Sequence, residues 1–368
     1  MKIAILADPL DNQNAGVHIY TKSLVNELLK RNDGHEYILV RQKKDPSLKN
    51  VQQIIIPNIN LPIGYASFRL FFIIPLLLIK NKVDVVFEPA HFGPFNLLKK
   101  IKRITFIHDL TPIKFPEYHR WHSQILQKIF LKSILKKTNL ILTNSKNTSL
   151  DLEYYYPFTK GKNKTILLGK ESIYQPIQDI KLIQSLDVKP PYFLNVGTIE
   201  PRKNLLNLLS AYTLFVEQSN KPHTLVLAGG MGWKTEEFKE VLNNHPYRSK
   251  IILLGYVSKK ILPTLYTHAE AFIYPSVYEG FGFPVLEALA CGTDVICSNT
   301  SSLPEVGGKA ANYCNPHSSI EIKDKMLKIT NYTIQEKEYH RQKNLEQSKL
   351  FSWEKHVDIF INSINEMF

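Results

Sequence analysis

The sequence predicts an α/β protein made of two doubly wound domains that face a cleft. Short apolar runs that suit buried strands alternate with helical patterns along nearly the whole chain. This alternation loosens once, near the middle, and the length of 368 residues exceeds what one typical core holds. Because strands that alternate with helices form parallel sheets, we expect the functional groups at the carboxyl ends of the strands.

The first domain is predicted to span residues 1–172. Its strands are short, rich in Ile, Leu and Val, and end in polar residues or glycine. They are predicted at Lys2–Ala7, Tyr37–Val40, Asp84–Phe87, Ile104–Ile107, Leu140–Thr143 and Thr165–Leu168. Helical patterns such as Val17–Lys30 and Ile125–Lys136 lie between them.

A segment that contains prolines, residues 173–190, is the predicted linker. The alternation then restarts in a second domain, residues 191–350. Its strands are predicted at Phe193–Val196, Thr224–Ala228, Ile251–Leu254, Ala271–Tyr274 and Asp294–Cys297. Two domains of similar size suggest that a binding cleft lies between them.

The composition is that of an ordinary globular protein, with 44% hydrophobic and 21% charged residues. This balance excludes long disorder, a collagen-like repeat and a coiled coil. The three cysteines, Cys291, Cys297 and Cys314, form no C-x-x-C pair, so we expect neither a disulfide framework nor a zinc site, and a reducing compartment. The apolar stretch after Met1 is too short for a signal peptide, and we expect a cytoplasmic protein.

The net charge of +13 is confined to one half of the chain. Residues 1–190 hold 28 Lys and Arg against 15 Asp and Glu, whereas residues 191–368 hold 18 of each. This asymmetry suggests an anionic partner for the first half, such as a membrane surface, a phosphorylated acceptor or a nucleic acid. A solvated lysine-rich face explains the same charge equally well.

One continuously apolar run, Leu70–Ile79, is ten residues long and is interrupted by Pro75. Because a helix needs about 20 residues to span a bilayer, this run does not predict a transmembrane helix. A buried helix is the favoured interpretation, and a helix that contacts a membrane interface is the alternative.

A phosphate-binding pattern begins where the first strand of the second domain ends, at Val196. Gly197 and Thr198 allow the backbone to approach another group closely. Arg202 and Lys203 then precede a helix that Asn204 is expected to cap. The start of a helix carries free N–H groups and a partial positive charge, and the two basic side chains add donors for phosphate oxygens.

A second pattern places two glutamates eight positions apart, Glu279 in a loop and Glu287 in the helix that follows. Gly280, Phe281 and Gly282 form the loop between them, and Pro284 suits the first turn of that helix. A carboxylate in the loop could accept hydrogen bonds from sugar hydroxyls, and one inside the helix could accept them from the two hydroxyls of a ribose. Two solvated glutamates are the alternative interpretation.

Together these motifs resemble those of the retaining glycosyltransferases of family 4, which have the GT-B fold of two Rossmann-like domains and an E-x7-E motif. The resemblance covers nearly the whole chain and is strongest at Val196–Leu209 and Ser276–Gly308. In the first domain it rests on Gly16, His108-Asp109 and Thr143-Asn-Ser145. The ending, residues 351–368, resembles the family's helix that crosses back to the first domain.

The resemblance implies a role for each matched position. Arg202 and Lys203 would neutralise the donor diphosphate, Glu287 would hold the ribose and Glu279 would contact the donor sugar. His108 would touch the donor sugar or the acceptor, with Asp109 beside it. A strand-end histidine bonded to its neighbours and a helix cap are the alternative roles of this pair. The other expected donor-binding positions are Gly16, Gly197, Thr198, Tyr256, Val257, Gly280, Phe281, Gly282 and Phe283.

The implied activity is transfer of a hexose from a nucleotide sugar to a glycan or a lipid-linked glycan in polysaccharide assembly. The sequence from Gly197 to Asn204 most resembles that of mannosyl- and rhamnosyltransferases that use GDP sugars. We therefore expect GDP-mannose as the donor in preference to a UDP-hexose. The chain contains no D-x-D, so no metal cofactor is expected. An anionic membrane surface is an expected contact of the first half.

Two other classes of protein fit the sequence less well. A dinucleotide oxidoreductase would need a G-x-G-x-x-G after the first strand, which is absent. A nucleic-acid binder would leave the glutamate pair unexplained, so no nucleic-acid partner is expected. A sugar-nucleotide epimerase of the same two-domain fold remains the nearer alternative.

Overall fold

The computed structural model describes residues 1–12, 15–57, 65–94, 96–118 and 127–368. The chain divides into two compact units. Met1–Gly169 and Trp353–Phe368 form the first unit, and Lys170–Ser352 form the second. The segment predicted as a linker therefore belongs to the second unit, where Ile183 and Val188 are fully buried.

A seven-stranded parallel sheet forms the centre of the first unit, with the order β3-β2-β1-β4-β5-β6-β7. The strands are β1 Lys2–Leu6, β2 Glu36–Arg41, β3 Gln52–Ile55, β4 Val85–Glu88, β5 Lys102–Ile107, β6 Leu140–Thr143 and β7 Asn163–Thr165. The central strands are almost completely buried because helices cover both faces, which explains their continuous apolar runs.

Short helices connect these strands. They are α1 Pro9–Asn12, α2 Ala15–Leu28, α3 Tyr65–Phe68, α4 Ile74–Lys80, α5 Thr111–Lys114, α6 Lys132–Lys137 and α7 Lys146–Tyr155. π-helical segments occur at Arg69–Ile73 and Gln127–Leu131, and 3-10 turns at Pro116–Tyr118 and Pro157–Thr159. The predicted helix at Ile125–Lys136 begins outside the described residues.

The C-terminal helix, Trp353–Asn365, belongs to the first unit. Its apolar face, which includes Val357, Phe360 and Ile364, is buried. His356 Nδ1 lies 3.0 Å from the carbonyl oxygen of Leu167. The helix is therefore fixed by both apolar burial and hydrogen bonding to the first unit.

The second unit contains a six-stranded parallel sheet of order β10-β9-β8-β11-β12-β13. Its strands are β8 Tyr192–Val196, β9 Thr224–Ala228, β10 Ile251–Gly255, β11 Ala271–Tyr274, β12 Val295–Ser298 and β13 Asn312–Cys314. Its helices are α8 Lys181–Gln184, α9 Leu205–Gln218, α10 Glu236–Asn243, α11 Leu262–His268, α12 Phe283–Ala290, α13 Leu303–Gly307, α14 Ser319–Thr330 and α15 Ile334–Ser348, with 3-10 turns at Pro201–Lys203 and Arg248–Lys250. The residues after β8 and β11 meet at one edge of this sheet.

The predicted strands differ from the structure at the sheet edges. The pattern missed β3 and β13, which are short and partly exposed and so lack a continuous apolar run. The last predicted strand of the first domain, Thr165–Leu168, was also placed wrongly, since the corresponding strand β7 ends at Thr165. Ile166 and Leu168 are fully buried, and their apolar character reflects packing after the strand.

The apolar run at residues 70–79 forms the greater part of a continuous helical stretch, residues 65–80. Ile74 and Leu78 are buried in the first unit's core. On the opposite side Phe68, Phe72 and Leu76 are 52%, 56% and 67% exposed, and we call them the apolar ridge. No helix in the described part of the chain is long and apolar enough to cross a membrane.

Candidate active site

Arg202 and Lys203 lie in the turn that links β8 to α9. Pro201–Lys203 form one 3-10 turn, and Asn204 follows with a positive φ of 58°. The expectation that Asn204 caps the helix was wrong, because its side chain makes no capping bond. Its amide instead donates to the carbonyl oxygens of Pro275 and Pro316, at 3.1 and 2.6 Å. These bonds fix the basic turn beside the loop that follows β11.

Glu279 bridges the two basic residues. Its Oε2 lies 2.7 Å from Arg202 Nη1, and its Oε1 lies 2.6 Å from Lys203 Nζ. Oε1 also accepts hydrogen bonds from the hydroxyls of Tyr274 and Ser276, at 3.0 and 2.5 Å. The loop after β11 and the turn after β8 are thus joined by one carboxylate.

A second carboxylate completes the cluster. Arg202 Nη2 donates to Glu200 Oε1 at 2.6 Å, and Arg202 Nη1 donates to the carbonyl oxygen of Tyr278 at 2.7 Å. Glu200 and Glu279 balance the charges of Arg202 and Lys203. We call these four residues the ion cluster.

The ionised state of the cluster follows from its contacts. Burial alone would raise the pKa of Glu279, but Arg202 and Lys203 outweigh it and lower that pKa to about 2. Burial also opposes ionisation of Arg202, whose pKa is nevertheless raised by Glu279 and Glu200. For Lys203, burial and the neighbouring Arg202 prevail and lower the pKa. Lys203 is therefore the cation that most needs a further negative partner.

Glu287 lies in the middle of α12 and is 9% exposed, so it is not a solvated helical residue. The hydroxyl of Tyr266 donates to its Oε2 at 3.0 Å. Burial raises the pKa of Glu287 to about 7, although hydrogen bonds from Tyr266 and Tyr174 oppose the shift. The E-x7-E pattern therefore holds two carboxylates in opposite electrostatic environments.

Two glycines allow the backbone to turn sharply at this edge. Gly282 has a φ of 110° and immediately precedes α12, and a side chain there would meet Leu303 Cδ2 at 2.7 Å. Gly197 has a φ of 149°, which side chains rarely adopt, and the site of its missing Cβ is 3.7 Å from Lys203 Cε.

At the start of α12, Pro284 has no N–H, and the N–H groups of Val285 and Leu286 donate to the carbonyl oxygen of Gly282 at 3.1 and 3.2 Å. Within the first turn as described, this leaves the N–H of Phe283 for an anion.

The other predicted donor positions lie on loops of the same sheet edge. Thr198 follows Gly197 and is exposed. Tyr256 follows β10 and is 82% exposed, whereas Val257 is 9% exposed. Gly280 and Phe281 are buried, and Phe281 and Phe283 make an edge-to-face contact at 5.3 Å.

The predicted residues of the first unit form a separate group. His108 follows β5, and its Nε2 donates to the carbonyl oxygen of Pro89 at 2.7 Å. Its main-chain N–H donates to His91 Nε2 at 2.7 Å. Burial, followed by His91, lowers the pKa of His108 to about 3, so the ring is neutral.

Asp109 and Gly16 also lie in the first unit. Asp109 Oδ1 accepts from the N–H and the hydroxyl of Thr111, at 3.0 and 2.6 Å, and so stabilises the turn that starts α5. Gly16 lies at the start of α2, and none of the residues that the structure describes comes within 4 Å of the place a Cβ would occupy. Neither packing nor φ therefore explains the glycine at position 16.

The sequence patterns found the centre of the site but missed its supporting residues. Glu200 belongs to the ion cluster, Tyr274 and Ser276 bond to its Glu279, and Tyr174 and Tyr266 donate to Glu287. Glu200 and Ser276 lie inside the matched motifs and Tyr274 just before one of them, all without a predicted role, whereas Tyr174 and Tyr266 are distant in sequence. No spacing rule connects Tyr266 to Glu287.

Comparisons with known proteins agree with this architecture. A family model described as "Glycosyltransferase Family 4" matches residues 15–169, and one described as "Glycosyl transferases group 1" matches residues 177–347. The O-antigen chain mannosyltransferase B of Escherichia coli is 30% identical, and the alignment covers 99% of both chains. This chain belongs to glycosyltransferase family 4.

Solved structures support the same fold for this glycosyltransferase. A sucrose-phosphate synthase from Thermosynechococcus elongatus matches with a TM-score of 0.77 and 17% identity, over 100% of this chain and 99% of the other. Anabaena HepE, solved in complex with UDP-glucose, matches with a TM-score of 0.76 and 15% identity over 100% of both chains. The expected GT-B fold and hexosyltransferase class are confirmed.

Proposed function

We propose that this glycosyltransferase moves mannose from GDP-mannose to a growing glycan, with retention of the anomeric configuration. The observation that carries the proposal is the match, along the whole chain, to an O-antigen chain mannosyltransferase. The ion cluster and Glu287 supply groups suited to the two polar parts of such a donor, the diphosphate and the ribose. A UDP-hexose donor is the alternative, and the assay below separates the two.

The donor diphosphate would bind at the ion cluster. Within the described residues, Lys203 Nζ bonds to the Tyr274 hydroxyl and to Glu279, which leaves one of its three N–H groups for a phosphate oxygen. Arg202 retains N–H groups beyond those bound to Tyr278, Glu200 and Glu279. The N–H of Phe283, at the start of α12, would face the same anion.

Glu279 would have two tasks. Its Oε1 is occupied by three donors, whereas Oε2 receives only Arg202 among the described residues, so Oε2 can accept a hydroxyl of the sugar. Because its pKa is about 2, Glu279 is ionised at neutral pH. It therefore holds the basic side chains in place as well as the sugar.

The proposed reaction breaks the bond between the anomeric carbon and the phosphate oxygen and forms a bond to the acceptor oxygen on the same face. GDP leaves, and the acceptor hydroxyl gives its proton to the departing phosphate. Negative charge develops on the diphosphate during this step, and fixed cations and N–H donors stabilise it. Arg202 and Lys203 would do so without a divalent metal.

The acceptor is proposed to be linked to a lipid, and the first unit to contact an anionic membrane. That unit holds 26 Lys and Arg against 15 Asp and Glu. It also exposes the apolar ridge, where Phe68 and Phe72 stack at 5.3 Å. Exposed aromatic rings together with basic side chains suit the interface of an anionic bilayer, where each basic residue contributes about 1 kcal/mol.

A transfer assay tests the proposal. The full chain is incubated with GDP-mannose or UDP-glucose, a mannose-terminated lipid-linked acceptor and EDTA, and the product is analysed by NMR. We expect an α-mannosyl product from GDP-mannose alone. Transfer only from UDP-glucose, a β-linked product, or an isomerised nucleotide sugar without transfer would each contradict the proposal.

A further inference from the structure

A second histidine lies beside His108 and has no role in the proposed reaction. His91 belongs to the loop that follows β4, and β4 pairs with β5 in the sheet, so the two rings meet at its carboxyl edge. Their centroids are 5.5 Å apart, and their planes are 27° from parallel. Both side chains are half-buried. The first unit therefore presents two neighbouring imidazole rings at this edge.

The backbone at His91 is held in an uncommon conformation. Its φ is 65°, in the left-handed region that is unfavourable for residues other than glycine. The main-chain N–H of His108 donates to the ring at 2.7 Å and ties the loop to the end of β5. Conformations of this kind concentrate at binding and active sites, where the surrounding structure holds them in place.

Hydrogen bonds fix which nitrogen of each ring carries the proton. The Nε2 of His108 lies 2.7 Å from the carbonyl oxygen of Pro89, which can only accept, so this nitrogen is the donor. The Nε2 of His91 accepts from a main-chain N–H, so it carries no proton. Burial lowers the pKa of both rings, so each is neutral and holds one proton. His108 is therefore protonated at Nε2 and His91 at Nδ1.

The two Nδ1 atoms are then complementary. The Nδ1 of His91 is an N–H donor, and the Nδ1 of His108 is an acceptor. Neither atom hydrogen-bonds to the residues that the structure describes, and neither is sealed from solvent. Sugar hydroxyls both accept and donate hydrogen bonds, so they satisfy both atoms, whereas a carboxylate or an ionised phosphate would satisfy the donor alone.

We propose that His91 and His108 together bind the hydroxyls of a sugar substrate, either one hydroxyl or two on adjacent carbons. An oxygen accepts from Nδ1 of His91, and an O–H donates to Nδ1 of His108. The sugar could be the transferred hexose or the end of the acceptor glycan, since both present the same groups. The inference rests on the hexosyltransferase activity and holds for either nucleotide donor.

The role of the pair is to orient the hydroxyls. A ring with a pKa of about 3, as in His108, is too weak a base to remove a proton from a hydroxyl at neutral pH. The acceptor proton therefore still passes to the departing phosphate, and the two rings supply direction without charge.

Two substitutions of His91 separate sugar binding from support of the fold. In His91→Gln the amide oxygen lies as many bonds from Cα as Nε2 does, so it can accept from the main chain of His108, but the Nδ1 donor is lost. In His91→Asn the amide nitrogen stands in place of Nδ1, so the donor remains and the acceptor is lost. His35→Gln is the control, since His35 is a half-buried histidine that precedes β2, at the opposite edge of the sheet.

Transfer is measured with whichever of GDP-mannose and UDP-glucose the unmodified full chain uses, at a temperature at which thermal melts show every variant folded. We expect kcat/KM to fall about three- to tenfold in His91→Gln, less in His91→Asn, and not at all in His35→Gln. His91→Asn should have the lower melting temperature of the two. A His91→Gln enzyme at least as active as His91→Asn would show that His91 only supports the fold, and would overturn the proposal.

Calorimetry distinguishes the two sources of the hydroxyls. If they belong to the transferred hexose, His91→Gln should weaken binding of the sugar nucleotide about three- to tenfold and leave binding of the bare nucleoside diphosphate unchanged. If they belong to the acceptor, both ligands should bind as before, and the KM for the acceptor should rise. Either result supports the site and identifies the sugar that occupies it.

Nitrogen-15 NMR of the unmodified chain, with labelled histidine side chains, tests the tautomers without any assay of activity. We expect His91 to carry its proton at Nδ1 and His108 at Nε2, with His91→Gln and His108→Gln used to assign the signals. Protonation of His91 at Nε2 would overturn the proposal. This result is separate from a failure of the proposed function, which would appear as the absence of transfer from GDP-mannose while the tautomers are as expected.

Discussion

The carboxyl edges of the two sheets hold their polar residues in different ways. In the second unit, four charged side chains from two loops bond to one another. Glu279 bonds to both Arg202 and Lys203, and Glu200 bonds to Arg202. In the first unit, His108 and Asp109 bond mainly to their own backbone surroundings. The charged side chains at the second unit's edge thus bond to one another, whereas His108 and Asp109 at the first unit's edge bond to groups close to them in the fold.

This difference matters for what each edge can recognise. A network of opposite charges keeps Arg202 and Lys203 in place before a diphosphate arrives, so little ordering is needed on binding. The neutral ring of His108 offers a polar surface without a charge. Under the proposed function, this surface would suit a hydroxyl-rich glycan acceptor, and the network would suit a nucleotide diphosphate.

The largest effect is expected from Glu279→Gln, which breaks the network at its centre. Removing one partner of a buried ion pair costs about 3–5 kcal/mol, because it leaves Arg202 and Lys203 with Glu200 as the one remaining carboxylate of the ion cluster. Transfer activity should fall by at least about a hundredfold and the denaturation midpoint should drop. The exposed Glu240→Gln is the control, and equal melting of the two variants would show that the network contributes nothing.

Arg202→Ala should weaken donor binding by about 1.5–3 kcal/mol, or roughly 10- to 150-fold, because it removes a charge-assisted contact to the diphosphate. Calorimetry with GDP-mannose measures this loss. Arg248→Ala, in another turn of the same unit, should have no effect. If both variants bind the donor as well as the unmodified enzyme does, the diphosphate lies elsewhere.

Donor affinity should also depend on pH through Glu287. Its pKa of about 7 means that it is mostly protonated at pH 6 and mostly ionised at pH 8, and only the ionised form accepts two ribose hydroxyls. Affinity should therefore rise by up to about tenfold over this range. In Glu287→Gln the profile should be flat, and a profile that keeps its slope would assign the titration to another group.

The same raised pKa has a consequence for stability. Since the folded pKa exceeds the ordinary value of 4.5, Glu287 favours folding most below that value, and the benefit is lost as the pH rises through 7. Glu287→Gln should therefore raise the melting temperature more at pH 8 than at pH 5.

The smallest effect concerns the first unit. Phe72→Ser removes one ring of the apolar ridge, which should lower binding to anionic vesicles by about fivefold at low salt, or roughly 1 kcal/mol. Tyr154→Ser is the control, since Tyr154 is 79% exposed in the same unit but lies away from the ridge. Equal loss in both variants would indicate general charge attraction without insertion of the ridge.

Most of the strands and the central site residues could be predicted because the patterns that mark them lie within short continuous stretches of sequence. Buried strands such as β4 and β5 have continuous apolar runs, and Arg202 and Lys203 stand next to each other. The edge strands β3 and β13 were missed because they are half exposed. Tyr266 was missed because its bond to Glu287 depends on how α11 packs on α12.

The electrostatic state of the site could not be predicted from spacing. Glu279 and Glu287 look equivalent in the motif, yet one has a pKa of about 2 and the other of about 7. Both carboxylates are buried, but two cations outweigh the effect of burial on the pKa of Glu279, whereas burial prevails at Glu287 although two tyrosines donate to it. The sequence likewise could not show that Arg103 is buried beside Glu88.

The central claim is that the second unit's network binds a guanosine diphosphate sugar without a metal. Its most direct test is calorimetry of the full chain in EDTA with GDP-mannose and, separately, UDP-glucose. We expect GDP-mannose to bind at least about tenfold more tightly, with its affinity unchanged by magnesium. Binding that appears only after magnesium is added, or a preference for UDP-glucose, would contradict the account.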